Sequence, residues 1–502
     1  MATVLYVPND PLASGGPPTA AVTARNFPPG DIAKFDIQPA AVPGQYDPHT
    51  PEFDYWQAKL ALISGLRSWK VLTGDFLPRW FGNQRALSVL TDSGDDLNAF
   101  YDRSSLQFFH HEFNGVTVHS AESVDVVTHE QGHAFLDAIR SDFFDVPFIE
   151  VGALHEAFGD CCAIVVALDD KGVRDAVLAA SPDLSANQFV ESLAEQLGDA
   201  IRREYGPDSV ESGALRHALN TFKWVDPTAL PSYAPADKLS GEVHSFARVF
   251  AGAFYDVIRN IYNSGKKDST GLRNASRTAG KLLIVAIRTV PAAPRTFEGV
   301  GQRMVQADVT MHGGANSAAI KAAFAAHGMV LPAPATSLPV PLESTNGHGP
   351  RRTRSSATNV LREQLGVPHD AKLRLTPVDS ALHGPIAHVT AYRPLMLDGD
   401  GLEGVRVMIP GVARVQMARR GGRIAGVLGN VTPASGVVED QARAFVRALV
   451  ASGDIRTAPR AASRMRAAPA PQIQSPRKRT SHEVRIVGGQ PTLVRLGFSH
   501  RG

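Results

Sequence analysis

A proline-rich run past the middle of the chain limits what the sequence can fold into. Five prolines lie between Leu331 and Thr358, and three arginines follow the last of them. Proline at this density fixes φ and removes backbone donors, which favours a stiff linker over a packed element. A chain of 502 residues is also longer than one hydrophobic core usually spans. The sequence therefore predicts separate folded units joined by a linker at residues 333–358.

Patterning on either side of the linker predicts four further regions. Residues 1–50, rich in Pro, Gly and Ala, predict an extended N-terminal arm. Short apolar runs broken by turn residues predict a β-rich lobe at 51–140, which closes with an amphipathic helix, and helical periodicity dominates 141–332. Residues 359–502 predict a small α/β domain, with a basic stretch at 456–480 that we expect to be disordered. The fold class expected for the whole chain is α+β.

Charge and hydropathy exclude several functions. The net charge is only +2, so no global field favours nucleic acid as a partner. The N-terminus lacks the basic start and apolar core of a secretory signal, and no run of about 18 apolar residues predicts a membrane span. A cytoplasmic location is the default expectation, and export by a non-classical route stays open.

The helical segment 124–140, VDVVTHEQGHAFLDAIR, carries a polar trio on an otherwise apolar helix. His129 and His133 are four residues apart, so they project from one helical face about one turn apart. That spacing allows two imidazoles to bind one zinc ion, with Glu130 beside them as a base. The alternative is a pair of buried histidines that are hydrogen-bonded to carboxylates.

A second helical segment, GALHEAFGD at 152–160, supplies two carboxylates at the same spacing. Glu156 can complete a His, His, Glu zinc site that leaves a fourth position open. Asp160 can accept the ring N–H of a ligand histidine. A solvated acidic face is the alternative, but the surrounding residues are mostly apolar.

In these motifs the sequence resembles the thermolysin-like metallopeptidases over about residues 50–330. The segments NAFYD at 98–102, ALR at 214–216 and GEVH at 241–244 resemble further motifs of that family in the same order. The resemblance implies a two-lobed peptidase, β-rich then α-helical, with a cleft at the zinc-binding helix. It also implies a zinc-dependent endopeptidase that cuts before an apolar residue.

The resemblance assigns a role to each motif residue. His129, His133 and Glu156 would bind zinc, Asp160 would orient a ligand histidine, and Glu130 would be the general base. The remaining assignments are His244 as hydrogen-bond donor to the oxyanion, Arg216 as partner of a substrate carbonyl and of Glu156, Asn98 and Ala99 as partners of the substrate backbone, and Val126 and Leu215 as the lining of an apolar pocket.

Departures from the family leave two other functions open. No tyrosine lies between His133 and Glu156, where the family usually places a second oxyanion donor. The family's calcium cluster has no clear copy, since Asp125 alone matches it well, so calcium stays open. The alternatives are an aminopeptidase with the same ligands and a zinc-bound protein that binds a peptide or partner with little turnover. The C-terminal domain is expected to bind a partner or to regulate the cleft.

Overall fold

The computed structural model shows an α+β protein in which strands and helices are both abundant. The predicted linker at 333–358, and nearly all of the stretch at 456–480, lie outside the residues that the structure describes. The described ranges are 2–28, 33–74, 79–331, 361–363, 365–368, 371–378, 386–417, 424–431, 435–456 and 479–500.

Most of the helices lie before the linker, and the helix Ser435–Ala451 follows it among the described residues. Their bounds are α1 Pro51–Thr73, α2 Val124–Arg140, α3 Ile149–Ala167, α4 Lys171–Ala180, α5 Glu195–Tyr205, α6 Val243–Ser264, α7 Ser269–Thr289, α8 Thr296–His312, α9 Ser317–Ala326 and α10 Ser435–Ala451. Among the described residues, no single helix is long and apolar enough to span a membrane. Helices α3 and α4 together have sufficient length and apolar composition, but their axes are bent by 98°.

Strands lie mainly before α2 and after the linker. Their bounds are β1 Thr3–Tyr6, β2 Ala20–Thr23, β3 Lys34–Gln38, β4 Ala86–Leu90, β5 Ala99–Tyr101, β6 Ser105–Phe108, β7 His110–Phe113, β8 Val116–His119, β9 Ser192–Leu193, β10 Arg216–His217, β11 Arg374–Val378, β12 Ile386–Met396, β13 Arg406–Met417, β14 Ile424–Asn430, β15 Ile455–Arg456, β16 His482–Val487, β17 Gln490–Arg495 and β18 Phe498–Ser499.

A five-stranded sheet with the order β18-β5-β6-β4-β3 joins distant parts of the chain. Strands β3, β4 and β6 run parallel, and β5 and β18 are antiparallel to their neighbours. Strand β3 shows that residues 1–50 are not a separate arm, because this part of them belongs to the sheet. Strand β18 comes from the far end of the chain and occupies the edge beside β5.

Helices α1, α2 and α3 pack together, and α2 and α3 carry the pairs of polar residues at four-residue spacing noted above. Helix α1 begins at the N-cap Thr50, whose hydroxyl accepts from the amide of Phe53, and ends at Gly74 in the left-handed conformation. Trp69 of α1 stacks on Phe135 of α2, with ring centroids 4.1 Å apart and planes 4° from parallel. This contact fixes α2 beneath α1.

The C-terminal region forms a seven-stranded sheet with the order β11-β12-β13-β17-β16-β15, and β14 also pairs with β13. It is not isolated from the first part of the chain. One continuous cluster of buried apolar side chains includes Phe158 and Phe250 from the helices together with Phe445 and Phe498 from the C-terminal region. The Nε2 of Gln441 on α10 also donates to Asp226, at 2.9 Å.

Several element boundaries differ from the sequence prediction. Within 141–332 the sequence predicts helices most clearly at 153–168, 187–204, 242–263, 271–288 and 315–327. The structure begins the second of these only at Glu195, and it adds helices α4 and α8. The sequence predicts two strands at 405–409 and 412–417, but strand β13 continues across Pro410 and Gly411. The sequence also predicts one strand at 492–498, but the structure divides it, because β17 ends at Arg495 and β18 joins the other sheet.

Candidate metal centre and cleft

The side chains of His129, His133 and Glu156 converge between α2 and α3. The two Nε2 atoms of the histidines are 3.1 Å apart. Glu156 Oε2 lies 3.4 Å from His129 Nε2 and 3.8 Å from His133 Nε2. Ligands about 2.1 Å from a tetrahedral zinc ion are separated by roughly 3.3 Å, close to these spacings. The three residues can therefore hold one metal ion.

Two glycines allow α2 and α3 to approach closely enough for this convergence. A β-carbon on Gly132 would lie 2.9 Å from the Cα of Gly159. A β-carbon on Gly159 would lie 2.6 Å from Nδ1 of His129. Neither distance is compatible with a normal side-chain contact, so any larger residue would separate the helices or displace the imidazole.

Asp160 connects the metal centre to the rest of α3 and to β10. Its Oδ1 is 2.9 Å from His129 Nδ1 and 2.9 Å from Arg216 Nη2, and its Oδ2 accepts from Arg216 Nε at 3.2 Å. A proton held on Nδ1 leaves the lone pair of His129 on Nε2, which faces the centre. The hydrogen bonds of Arg216 go to Asp160, whereas the resemblance placed Arg216 against Glu156.

His133 has a partner that the motif did not assign. Its Nδ1 is 2.8 Å from Nδ1 of His155, one position before Glu156 on α3. Because His155 directly precedes Glu156 on the same helix, the sequence predicts that its side chain faces away from the metal, and in the structure its ring contacts Nδ1 of His133 and not Nε2. One of the two rings must donate in this contact, so His155 helps to fix the protonation and orientation of His133.

The candidate metal centre is fully buried. Both carboxylate oxygens of Glu130 and of Glu156 lack a hydrogen-bond partner among the described residues. Burial raises the pKa of Glu156 to about 7, and burial together with Glu156 raises the pKa of Glu130 well above its usual range. Burial also lowers the pKa of His129 and of His133, so both imidazoles stay neutral, as metal ligation requires. Orphaned buried carboxylates beside neutral imidazoles fit a bound cation.

His244 reaches the same cleft from the first turn of α6. Its Nδ1 is 2.7 Å from Glu242 Oε1, and its Nε2 is 3.3 Å from Glu156 Oε2. Burial alone would lower the pKa of His244, but Glu156 and Glu242 raise it to about 9. Burial alone would raise the pKa of Glu242, but His244 and two backbone amides lower it to about 2. His244 is therefore a cationic donor at neutral pH.

Strand β5, which would be the edge of its sheet without β18, binds a stretch of extended backbone across the cleft. The amide of His500 donates to the carbonyl of Ala99, at 2.9 Å, and to Asn98 Oδ1, at 3.1 Å. The hydroxyl of Ser499 also donates to Asn98 Oδ1. The carbonyl oxygen of Ser499 lies 2.5 Å from His244 Nε2. Asn98 and Ala99, predicted to bind a substrate backbone, here bind the chain's own C-terminal segment.

The remaining predicted residues lie at the periphery of this cleft. Leu215 and Arg216 line a pocket together with Glu242 and His244, whereas Val126 is fully buried in α2. Asp125, the one match to the family's calcium cluster, is buried too. Burial, the charge of Asp10 and the charge of Asp125, in that order of size, raise the pKa of Glu195 to about 11. These three carboxylates are not among the metal-capable groups of the described residues, so calcium binding stays open, as it was from the sequence.

Residues 498–500 enter the cleft without a signal in the sequence. A two-residue strand has no periodicity, and a single histidine after a strand-like run is common in any chain. His155 is different, because its place beside Glu156 on a predicted helix marks it as a neighbour of the site. No protein-family model matches this chain, and a search of the curated proteins finds no match to it. The function therefore has to be argued from the geometry.

Proposed function

We propose that the chain is a zinc-dependent endopeptidase that hydrolyses peptide bonds, preferentially before an apolar residue. One observation carries the proposal: the potential ligands His129, His133 and Glu156 converge beside a strand edge that binds extended backbone. A metal-capable centre alone suits many proteins. A centre within reach of a peptide carbonyl, with a carboxylate next to it, suits amide hydrolysis.

Zinc would be held by Nε2 of His129, Nε2 of His133 and a carboxylate oxygen of Glu156. When bound, it supplies Lewis-acid polarisation of a carbonyl and lowers the pKa of water. Zinc is favoured over magnesium and calcium because two of the three donors are imidazole nitrogens. Asp160 and His155 orient the two imidazoles through their Nδ1 atoms.

Glu130 serves as the general base in this proposal. It follows His129 directly on α2, and its two free carboxylate oxygens are available to accept a proton from water. Burial and Glu156 raise the pKa of Glu130, and the charges of His244 and Arg216 oppose that rise. The carboxyl can then pass the proton to the nitrogen of the departing amine.

His244 and the β5 edge position the substrate. A protonated His244 donates to the carbonyl oxygen of the bond that is cut, as it does to the carbonyl of Ser499. Asn98 and Ala99 accept from the amide that follows this carbonyl. The guanidinium of Arg216 has its Nη1 unpartnered among the described residues, which leaves it available for a substrate carbonyl. Leu215 and Val126 would provide the apolar surface for the residue after the cut.

The order of elements supports a two-lobed, thermolysin-like arrangement as part of the same proposal. Strands β3 to β8 precede the metal-binding helix α2, and the helices α3 to α9 follow it. The cleft lies where the two regions meet, with β5 on one side and the start of α6 on the other. In this arrangement the edge of β5 would bind the peptide, and the helices would bind the metal.

Peptide cleavage by wild type and by Glu130→Gln tests the proposal. Both proteins are loaded with zinc, their metal content is measured, and each is given a quenched peptide with Leu or Phe after the scissile bond. Loss of the base is expected to lower kcat/KM by about 10²- to 10⁴-fold while zinc stays bound. Equal inactivity of the two zinc-loaded proteins, also in the Gly497→Ala background introduced below, would refute the peptidase proposal.

A peptide-binding protein without turnover is the second candidate. The segment at 498–500 already occupies the cleft as a bound peptide, and no tyrosine follows His133 before Glu156. In that case the zinc-loaded protein would bind a hydrophobic peptide with equal affinity whether residue 130 is Glu or Gln, and neither form would cut it.

A further inference from the structure

The segment Phe498–His500 pairs with β5 as a separate extended peptide would pair with the edge of a sheet. Phe498 pairs with Tyr101 and Ser499 with Phe100 in antiparallel register. The amide of His500 continues the ladder to the carbonyl of Ala99. Backbone pairing of this kind is how an edge strand recognises an extended peptide, whatever its sequence.

Side chains of the segment are as fully buried as its backbone. The ring of Phe498 stacks on His155 with centroids 3.8 Å apart and on His133 at 4.8 Å, and the guanidinium of Arg495 covers it at 4.2 Å. The ring of His500 lies 4.1 Å from that of His129, and its Nδ1 lies 3.7 Å from Glu130 Oε1. The segment thus covers both imidazoles and the proposed base.

Gly497 is the residue that lets the segment enter. A β-carbon at this position would lie 2.4 Å from the carbonyl oxygen of Tyr101 and 2.5 Å from the ring of Phe100. The backbone oxygen cannot move without breaking β5, so only glycine is compatible with this approach. Its φ is not in the left-handed region, so the requirement comes from space alone.

We propose that the segment Gly497–His500 is a built-in peptide inhibitor that closes the cleft of its own chain. This inference rests on the proposed endopeptidase function. The segment mimics a substrate on the strand edge and at His244, with its Ser499 carbonyl and His500 amide in the positions of the bond to be cut. It excludes other peptides until it leaves, and the β16–β17 hairpin before it keeps it at a high local concentration.

Two substitutions in the full chain release the segment by different means. Gly497→Ala introduces the clash with Tyr101, and Phe498→Asp places a carboxylate among buried aromatic rings. Gly436→Ala and Ile486→Asp are the matched controls. A β-carbon at Gly436 meets nothing within 4 Å, and Ile486 is 72% exposed on β16. Thermal unfolding of all four variants verifies that they are folded.

Hydrogen exchange gives a measurement that does not depend on cleavage. The His500 amide, which has two acceptors, should exchange slowly in wild type and in both controls, and quickly in Gly497→Ala and Phe498→Asp. Cleavage of the quenched peptide by the zinc-loaded released variants should then rise on the order of tenfold or more over wild type. Intact mass should show that the wild-type segment stays uncut.

Each other outcome points to one cause. Fast exchange at His500 in wild type would overturn the docking. Release without faster cleavage, in a wild type that does cut the peptide, would overturn the inhibition. Cutting of the wild-type chain between Ser499 and His500 would make the segment a substrate and overturn its role as an inhibitor. Slow exchange of the His500 amide in wild type and fast exchange in Gly497→Ala and Phe498→Asp, with no cleavage by any variant, would support the docking. The same result would refute the peptidase proposal.

Discussion

Gly132 and Gly159 face each other where α2 crosses α3, and a β-carbon on Gly132 would lie 2.9 Å from the Cα of Gly159. This contact brings the backbones of the two helices together without side chains between them. The residues one turn away on each helix, His129 and Glu156, can therefore reach a common point. The metal centre depends on this approach as much as on the identity of its ligands.

Gly159→Ala should abolish most metal binding. The new β-carbon would lie 2.6 Å from Nδ1 of His129, which must move away from Asp160 and from the centre. We expect zinc affinity, measured by competition with a chromophoric chelator, to fall roughly 10- to 100-fold or more. Gly436→Ala on α10 is the control and should keep wild-type affinity. Undiminished affinity in Gly159→Ala would mean that the helices bind the metal without this close contact.

Asp160→Asn should weaken the centre without removing a ligand. The carboxylate accepts from His129 and pairs with Arg216, and an amide can satisfy only part of this pairing. We expect zinc affinity to fall roughly 10- to 100-fold, with secondary structure unchanged by circular dichroism. Asp199→Asn, which changes a carboxylate that is 38% exposed on α5, should leave affinity unaltered. Equal affinities in the two variants would contradict the orienting role.

The convergence of His129, His133 and Glu156 on a site that could hold a metal ion could be predicted from the sequence because its signal is local. His129 and His133, or Glu156 and Asp160, share a helical face through a fixed spacing, and apolar neighbours mark both helices as buried. The sequence predicted two strands in place of β13, separated at Pro410 and Gly411, because these residues usually end a strand. The structure instead pairs them with Tyr392 and Ala391 of β12, so tertiary pairing overrides the local preference.

The occupant of the cleft could not be predicted, because its signal is entirely non-local. Strand β18 has two residues, and its partner Tyr101 lies almost four hundred positions earlier in the chain. Nothing in the spacing of Phe498, Ser499 and His500 indicates which sheet they join. The close approach at Gly497 is likewise visible only once both backbones are placed.

Trp69→Ala should destabilise the layer that supports α2. The indole stacks on Phe135, and it is 2% exposed. Removing a buried aromatic side chain typically costs about 3–5 kcal/mol, and here it leaves a cavity between α1 and α2. We expect a lower midpoint of urea unfolding, followed by circular dichroism. Tyr233→Ala, at a residue that is 70% exposed, should leave the midpoint unchanged. Equal midpoints would mean that α1 does not support α2.

His217 should make the stability of the chain depend on pH between about 6.5 and 9. Burial alone would lower the pKa of this imidazole, but the hydrogen bond and charge of Glu191 raise it to about 9. His217 Nδ1 lies 3.2 Å from Glu191 Oε2, and the carboxylate is fully buried. A pKa raised on folding means that protonated His217 stabilises the folded state.

This stabilisation is complete below the pKa of the unfolded chain, about 6.5, and is lost as pH rises through 9. We expect His217→Gln to lower the free energy of unfolding at pH 6 by on the order of 1–3 kcal/mol, and to lower it much less at pH 9.5. Urea unfolding of wild type and variant at both pH values gives the difference in the free energy of unfolding. The contributions of other groups that titrate in this range cancel in this difference. A difference that is equal at the two pH values would show that the imidazole is not charged when paired with Glu191.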